Sequence, residues 1–507
     1  MTYRFMRVVV GIVSLSLFGI LLASCNSSTA SPERTEVIDV PALSFPDAIR
    51  IEVGSDVQFV VDSHPAGTIF LLASGVHRLQ RITPRDNDIF IGEDGAVLSG
   101  AVELNAFGQE DGYWVADYQT EPGRRAHNYC YSDYPLCYYP EDLFFDNQPL
   151  RQVEALEQIV PDTWYFDYEA GRVYLVDNPN EHMVEVSSAY SAFGGDASAV
   201  MIGNLTIEKY ANPAQRGAIN GGESDGWVIY NAVVQLNHGT GIRIGNNMQI
   251  LHSQIVQNGQ IGIAGVGDNV TIEGNEIAHN NFAGYRSTWE AGGTKFVSTN
   301  NLVVRNNYVH HNDGPGLWTD YDNHDALYED NIVMYNQRNG IYHEISGAVI
   351  IRNNVVKFNG LNYDNWMWGS QILISSSSGG EVYGNQIVVD GQIGNGMGVV
   401  NQDRGWQSYN NYFHDNVIIY LSDSGQSGVA TDFNNDEFWE EANNRFDSNI
   451  YYVNADSSYH WAWNDRSRTW EELQSHGQEL NGSMIIGEIP EDVDAIPEWV
   501  VEIPAPF

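Results

Sequence analysis

The chain has 507 residues, 66 acidic against 24 basic, for a formal net charge of −42. So acidic a surface repels nucleic acid and other polyanions unless bound metal bridges them, and it keeps an exported protein soluble. Only three of the cations are lysines, Lys209, Lys295 and Lys357, so any lysine in a site is there for a reason beyond bulk charge.

Residues 1–24 read as a secretory signal. Arg4 and Arg7 supply the positive end, and Val8–Leu22 is an apolar core too short for a comfortable membrane span. The stretch Leu22-Ala23-Ser24-Cys25 resembles a bacterial lipoprotein cleavage box, which implies cleavage before Cys25 and a lipid on that cysteine. Residues 25–40, small and polar at their start, then form a linker from membrane to domain. With Cys25 so used, Cys130 and Cys137 remain, and in an exported protein they are expected to close a small disulfide loop.

Residues 41–104 are predicted to hold an N-terminal cap and the first turns of a solenoid. Ala48–Ser63 has the mixed spacing of a short covering helix, and strand-like runs follow at Gly67–His77 and Ile89–Gly92. Residues 105–190 break the rhythm with a run of aromatics (Tyr113-Trp114, Tyr138-Tyr139, Trp164-Tyr165-Phe166) and read as an inserted antiparallel β-module. Strand-like pieces resume near Val200–Ile207 and continue to about 433; residues 434–507 are expected to close the far end, with a short helix near Trp470–Leu473.

The repeat between 191 and 433 carries the fold. A short strand ends in Asn, a second Asn follows five residues later, then a Gly with an aliphatic or aromatic partner. The pattern runs Val270…Asn275, Asn280, Gly284-Tyr285, then Leu302…Asn307, Asn312, Gly316-Leu317, then Ala326…Asn331, Asn336, Gly340-Ile341, then Val349…Asn354, Asn359. Asn237 with Gly241-Ile242 and Asn258 with Gly262-Ile263 keep its second half. Spacing of two to three dozen residues marks a solenoid, and the period of two within each strand argues β-structure. Asn tolerates a left-handed corner, and its amide can bond the Asn of the next turn in a stacked ladder.

Two turns of this repeat are long. Extra loops are expected at Arg286–Gly293 and Gly360–Gly369, with two ordinary turns between them, walling a groove. Alternation places Leu317 and Ile341 in the core and Trp318, Asp320, Asp322, Tyr342 and Glu344 outside. Asp320 and Glu344 each lie four residues past their Gly and should stack, so one carboxyl should hold its proton more tightly, as a general acid beside a carboxylate base or nucleophile requires. Lys295 should face Asp320 from the preceding turn, with Glu290 on the loop above and Arg404 at the far side. Trp289, Trp318, Trp366, Trp368 and Trp406 offer flat faces for sugar rings. His343 points inward by phase and is a base only if a bulge turns it out. The alternative reading of Asp320-Tyr321-Asp322-Asn323 is a turn or a calcium site, since hard oxygen ligands lie close together; no cofactor is required. His279 and His310-His311 precede corner Asn residues and read as structural.

The repeat, the covered start and the export signal together resemble the pectin-lyase-like right-handed parallel β-helix superfamily. That resemblance implies an all-β right-handed solenoid and a groove acting on polysaccharide. It carries no residue roles, because the sequence has neither the Gly-His-Gly of polygalacturonases nor the Asp-Pro-His of mannuronan epimerases. The readings in play are a lipid-anchored, extracytoplasmic glycoside hydrolase using Asp320 and Glu344, a polysaccharide lyase with Lys295 or His343 as base, and a glycan-binding surface protein without catalysis.

Overall fold

The computed structural model describes residues 47–118, 129–361, 366–389, 394–432, 441–454, 459–487 and 490. The signal, Cys25 and the linker lie outside these residues, as do Asn362–Asn365 of the second long loop.

The chain winds as a parallel β-helix with three faces. One sheet of 13 strands starts at Ile49–Ile51, a second of 13 starts at Gly75–Arg78, and a third of 12 starts at Phe193–Gly194. Successive turns pair in parallel and in register, apart from one antiparallel pair at the end of the third sheet. A typical turn takes Val303–Arg305, Tyr308–His310 and Leu317–Asp320, one strand for each face. Inward residues of all three sheets, such as Ile272, Ile277, Phe296 and Leu317, merge into one continuous apolar column.

Asn residues hold two of the three corners. Asn275, Asn307, Asn331, Asn354, Asn385, Asn416 and Asn449 form one buried ladder in which each amide nitrogen donates to the next Asn at 2.9–3.0 Å. Asn237, Asn258, Asn280, Asn312, Asn336 and Asn359 form the other, at 2.8–3.0 Å. Each amide also satisfies a strand carbonyl of the turn behind it, for example Asn331 to Val304 O at 2.9 Å, so the corners need no water. The left-handed residue is the one before each ladder Asn: Asn306, Asp330 and Asn353 on one corner, Gln257, His279 and His311 on the other. That twist is what swings the following amide into the interior, so the ladder Asn is kept for its amide rather than for its backbone freedom.

The near end is covered by a six-residue helix, Val57–Asp62, capped by Asp56, which accepts from Phe59 N at 3.0 Å; Val57 and Val61 plug the column. The far end carries Trp470–Ser475, started by a Thr469–Glu472 capping box. Full strands continue past 433, at Arg445–Asp447, Ile450–Val453 and Ser483–Ile486, so the solenoid extends further than the sequence repeat.

The inserted module is an eight-stranded sheet from Ala101–Glu103 to Val184–Ser187, starting four residues earlier than the aromatic run suggests. It is antiparallel except where Gln148–Gln152 runs parallel to Thr163–Asp167. Its aromatics form a separate core around Trp164, Phe166 and Tyr118. Lys209, fully buried, bonds Glu185 of this sheet from the solenoid side. Cys130 and Cys137 are joined by a disulfide, and the loop they close packs on Tyr285 and Ala291 of the first long loop.

Candidate functional site

Strand Leu317–Asp320 lies against Ile341–Glu344 with Leu317 opposite Ile341, Trp318 opposite Tyr342, Thr319 opposite His343 and Asp320 opposite Glu344. Leu317 and Ile341 fill the core, so Asp320 and Glu344 leave from the outer face one strand spacing apart, about 4.8 Å. On the turn before, Phe296 pairs with Thr319, which sends Phe296 inward and Lys295 outward. The Lys295 ammonium sits 2.9 Å from Asp320 Oδ2, donates to the Trp289 carbonyl at 2.8 Å and lies 4.0 Å from the centre of the Trp318 ring.

Glu344 is only 6% exposed. Gln402 Nε2 donates to its Oε1 at 2.9 Å and to Ser375 Oγ at 2.6 Å, and the Tyr342 hydroxyl bonds it as well. Burial raises its pKa above the usual carboxylate value and the Asp320 charge raises it further; the bonds from Gln402 and Tyr342 and the charge of Arg404 oppose without prevailing. The arrangement is one carboxyl that favours its proton beside a second carboxylate compensated by a lysine. Gln402 escaped the sequence reading because it sits two turns beyond Glu344; counting register through Ser375 and Val400 locates it two residues past that column.

The remaining sequence candidates fall differently. Trp318 and Tyr342 do face outward and stack at 5.5 Å, yet Met367 and Trp368 of the second loop cover them, with Leu373 and Val400 completing an outer apolar cluster. They are floor beneath a folded-back loop and not open platforms for a sugar. Trp289 stacks on Tyr129 at 4.7 Å. Trp366 is 39% exposed and its indole nitrogen bonds Gln426, while Trp368 bonds Asp432. Glu290 accepts from Gln215 at 2.5 Å, on the turns preceding Lys295, and so stands apart from the carboxylate pair. Arg404 is exposed and acts on both Glu344 and Asp432.

His343 is a core residue. Its Nδ1 accepts from Thr319 Oγ1 at 2.7 Å and its Nε2 donates to Gly347 O at 2.9 Å, and burial pushes its pKa down to about 4. With no bulge to turn it out, it is withdrawn as a base. Asp322 does not share the face of Asp320: Tyr321 and Asp322 are both left-handed (φ 63° and 62°), so the alternation ends at Asp320, and Asp322 pairs with His324 at 3.1 Å. Asn323 turns inward, accepting from Thr299 and donating to Phe296 O, so its side chain serves the corner. The first insertion is also longer than expected. Gly292 and Gly293 take the strand position, in register with Ile261 and Gly316, leaving Gly284-Tyr285 inside the loop.

A pocket of about 150 Å³ opens between the disulfide loop, the module and the solenoid. His238 lies at its wall, 3.0 Å from Asp142, with its other nitrogen against Cys137 O and the Tyr285 hydroxyl. Burial is the largest single effect and disfavours the imidazolium, but the charge and hydrogen bond of Asp142, the Cys137 carbonyl and the Glu141 charge together outweigh it and the pKa is raised. These bonds tie module to solenoid, and none of the catalytic or sugar-binding candidates read from the sequence lines the pocket.

Residues 217–387 match the family described as right handed beta helix region. No curated protein matches the sequence. Among solved structures, the complex of XylC with xylose is similar at 14% identity and a TM-score of 0.62, over 80% of this chain and 84% of that one. The A-module of the Azotobacter vinelandii mannuronan C-5 epimerase AlgE4 aligns at 13% identity over 78% and 89%, with a TM-score of 0.41. At these identities the likeness concerns the fold. The likeness to that xylose complex and the matched region show the fold, a right-handed parallel β-helix.

Proposed function

We propose that the chain is an exported, lipid-anchored glycoside hydrolase acting on a polysaccharide, with Glu344 as general acid and Asp320 as its partner carboxylate. The observation that carries this reading is the in-register outer pair of unequal carboxyls, one buried and proton-favouring, the other facing Lys295. Glu344 would protonate the glycosidic oxygen as the bond breaks, and Asp320 would attack or stabilise the sugar carbon from the other side. Lys295 positions Asp320, and Gln402 and Tyr342 position Glu344. The strand spacing lies nearer the separation of about 5–5.5 Å used by retaining enzymes than the wider gap of inverting ones. Cys25 would carry the lipid that holds the protein on the extracytoplasmic side of its membrane.

A lyase would need a free base, and both candidates are engaged: His343 inside the core, Lys295 on Asp320 and Trp289. The test is a polysaccharide panel read for new reducing ends and for the ultraviolet absorbance of unsaturated products. Hydrolysis that falls about 10²–10⁴-fold in Glu344→Gln and Asp320→Asn, with binding retained, supports the reading. Unsaturated products, or activity indifferent to both substitutions, sinks it, and saturable binding without cleavage assigns the chain to glycan recognition instead.

A further inference from the structure

Three histidines meet on the second sheet, away from the strands that carry Asp320 and Glu344. His310 ends the strand Tyr308–His310, directly opposite Ala278, and His279 and His311 are the left-handed corner residues that follow on the two neighbouring turns. The rings of His279 and His311 stack at 5.1 Å, and His310 stands edge-on to both, at 5.4 and 5.0 Å. One ring nitrogen from each lies within 4.8 Å of the other two. His310 Nδ1 and His311 Nδ1 are only 2.8 Å apart and aimed at each other.

Stacking accounts for part of this. The corner column continues through Tyr335 and Phe358 at 5.1 and 5.2 Å, so flat rings at 279 and 311 would pack there whatever their chemistry. It does not account for His310, which lies outside the column and turns a nitrogen toward His311. Behind it, Glu276 Oε1 takes the other His310 nitrogen at 3.1 Å, while Glu276 Oε2 is buried without a partner. A carboxylate that fixes the remote nitrogen of an imidazole, leaving the near one for a cation, is the arrangement that orients histidine ligands around metals. His279 and His311 are exposed, so an ion has access from solvent.

We propose that His279, His310 and His311 bind one divalent transition-metal ion, of the imidazole-preferring kind represented by zinc, with Glu276 orienting His310 and water completing the coordination. Three nitrogens at about 2.0–2.1 Å from a tetrahedral ion are about 3.4 Å apart, which rotation of the two exposed rings reaches. An all-nitrogen set selects against calcium and magnesium, so the acidic surface would not compete for the same ion. Such an ion would clamp two successive turns of the solenoid across the corner.

The test is calorimetric titration of zinc into the metal-stripped full chain, free of any histidine tag, with excess magnesium to occupy the carboxylates. One saturable site per chain is expected. His311→Phe should abolish it while keeping the fold, because Phe358 already occupies the same left-handed corner (φ 57°) two turns on. Glu276→Gln, which leaves all three ligands, should weaken binding about 10–100-fold. Cobalt should give the visible absorption of a tetrahedral nitrogen site in the wild type and lose it in His311→Phe. No saturable site in the wild type, or a site that His311→Phe leaves unchanged, overturns the proposal.

Discussion

Replacing Lys295 by Met tests whether the outer carboxylate pair is an assembled electrostatic unit. The ammonium is almost completely buried and contacts Asp320 at 2.9 Å, the Trp289 carbonyl at 2.8 Å and the face of Trp318. At 2.9 Å the gross attraction of two unit charges is about 6 kcal/mol for an effective dielectric of about 20. Asp320 keeps a fifth of its side-chain surface in water, so solvent takes up much of an orphaned charge. With about 1 kcal/mol for the hydrogen bond and about 1–2 for the ring contact, the expected loss is about 2–4 kcal/mol. Asp320→Asn alone should cost about 1–2 kcal/mol. The double variant should cost less than the two together by about 1–2 kcal/mol, because it leaves no unpaired charge facing Glu344. Urea midpoints at a common slope, followed by tryptophan fluorescence, give the cycle. A coupling below about 0.3 kcal/mol refutes the unit, whatever the single costs.

Two further outcomes follow from the corners and the far end. Asn331→Ala removes the amide that serves Val304 O and Asn354 Oδ1 and the carbonyl that serves Asn307, leaving buried groups without partners; about 3–5 kcal/mol is expected, against about 1 or less for Asn301→Ala on the exposed side. Equal thermal shifts for the two variants would mean that the ladder amides are dispensable. Glu479 ends one Asn ladder, taking bonds from Asn449 and Tyr451, and burial raises its pKa from 4.5 to about 7. The folded state therefore holds this proton more tightly than the unfolded chain, so its contribution is fullest below about pH 4.5 and is lost as pH rises through about 7. Glu479→Gln, the residue type that Gln371 already supplies at the other ladder, should gain about 3 kcal/mol on the wild type between pH 4.5 and pH 8. A difference that does not change with pH, read from unfolding midpoints, would contradict the assignment.

The solenoid was legible because its determinants repeat. An Asn that must meet the next Asn, and an inward residue that must meet the next inward residue, are copied at every turn, so the pattern survives in the sequence even where individual strands are three residues long. The far end was less legible for the same reason. After about 433 the turns persist, but Glu479 replaces a ladder amide and the lengths between corners drift, so the geometry outlives the motif. The first long loop misled in a related way: Gly284-Tyr285 copies the Gly-aliphatic step, yet the disulfide loop claims Tyr285 and the strand waits for Gly292.

The candidate site divides along the line between direction and cover. Alternation is imposed by the backbone, so it correctly sends Asp320, Glu344 and Lys295 to one outer wall, and register alone brings them together. It holds only as far as the strand does, which is why Asp322, beyond two left-handed residues, leaves that wall. What lies over an outward side chain is set by loops that do not repeat. Met367 and Trp368 turn Trp318 and Tyr342 from a binding surface into a buried floor, and Gln402, from a turn that no motif marks, reaches back to Glu344. The same cover creates the chemistry: a Glu344 left open to water would have no burial to raise its pKa, and Asp320 and Glu344 would be two equivalent surface acids. The asymmetry on which the proposed reaction rests is thus a property of the loops, acting on a pair that the coil only places.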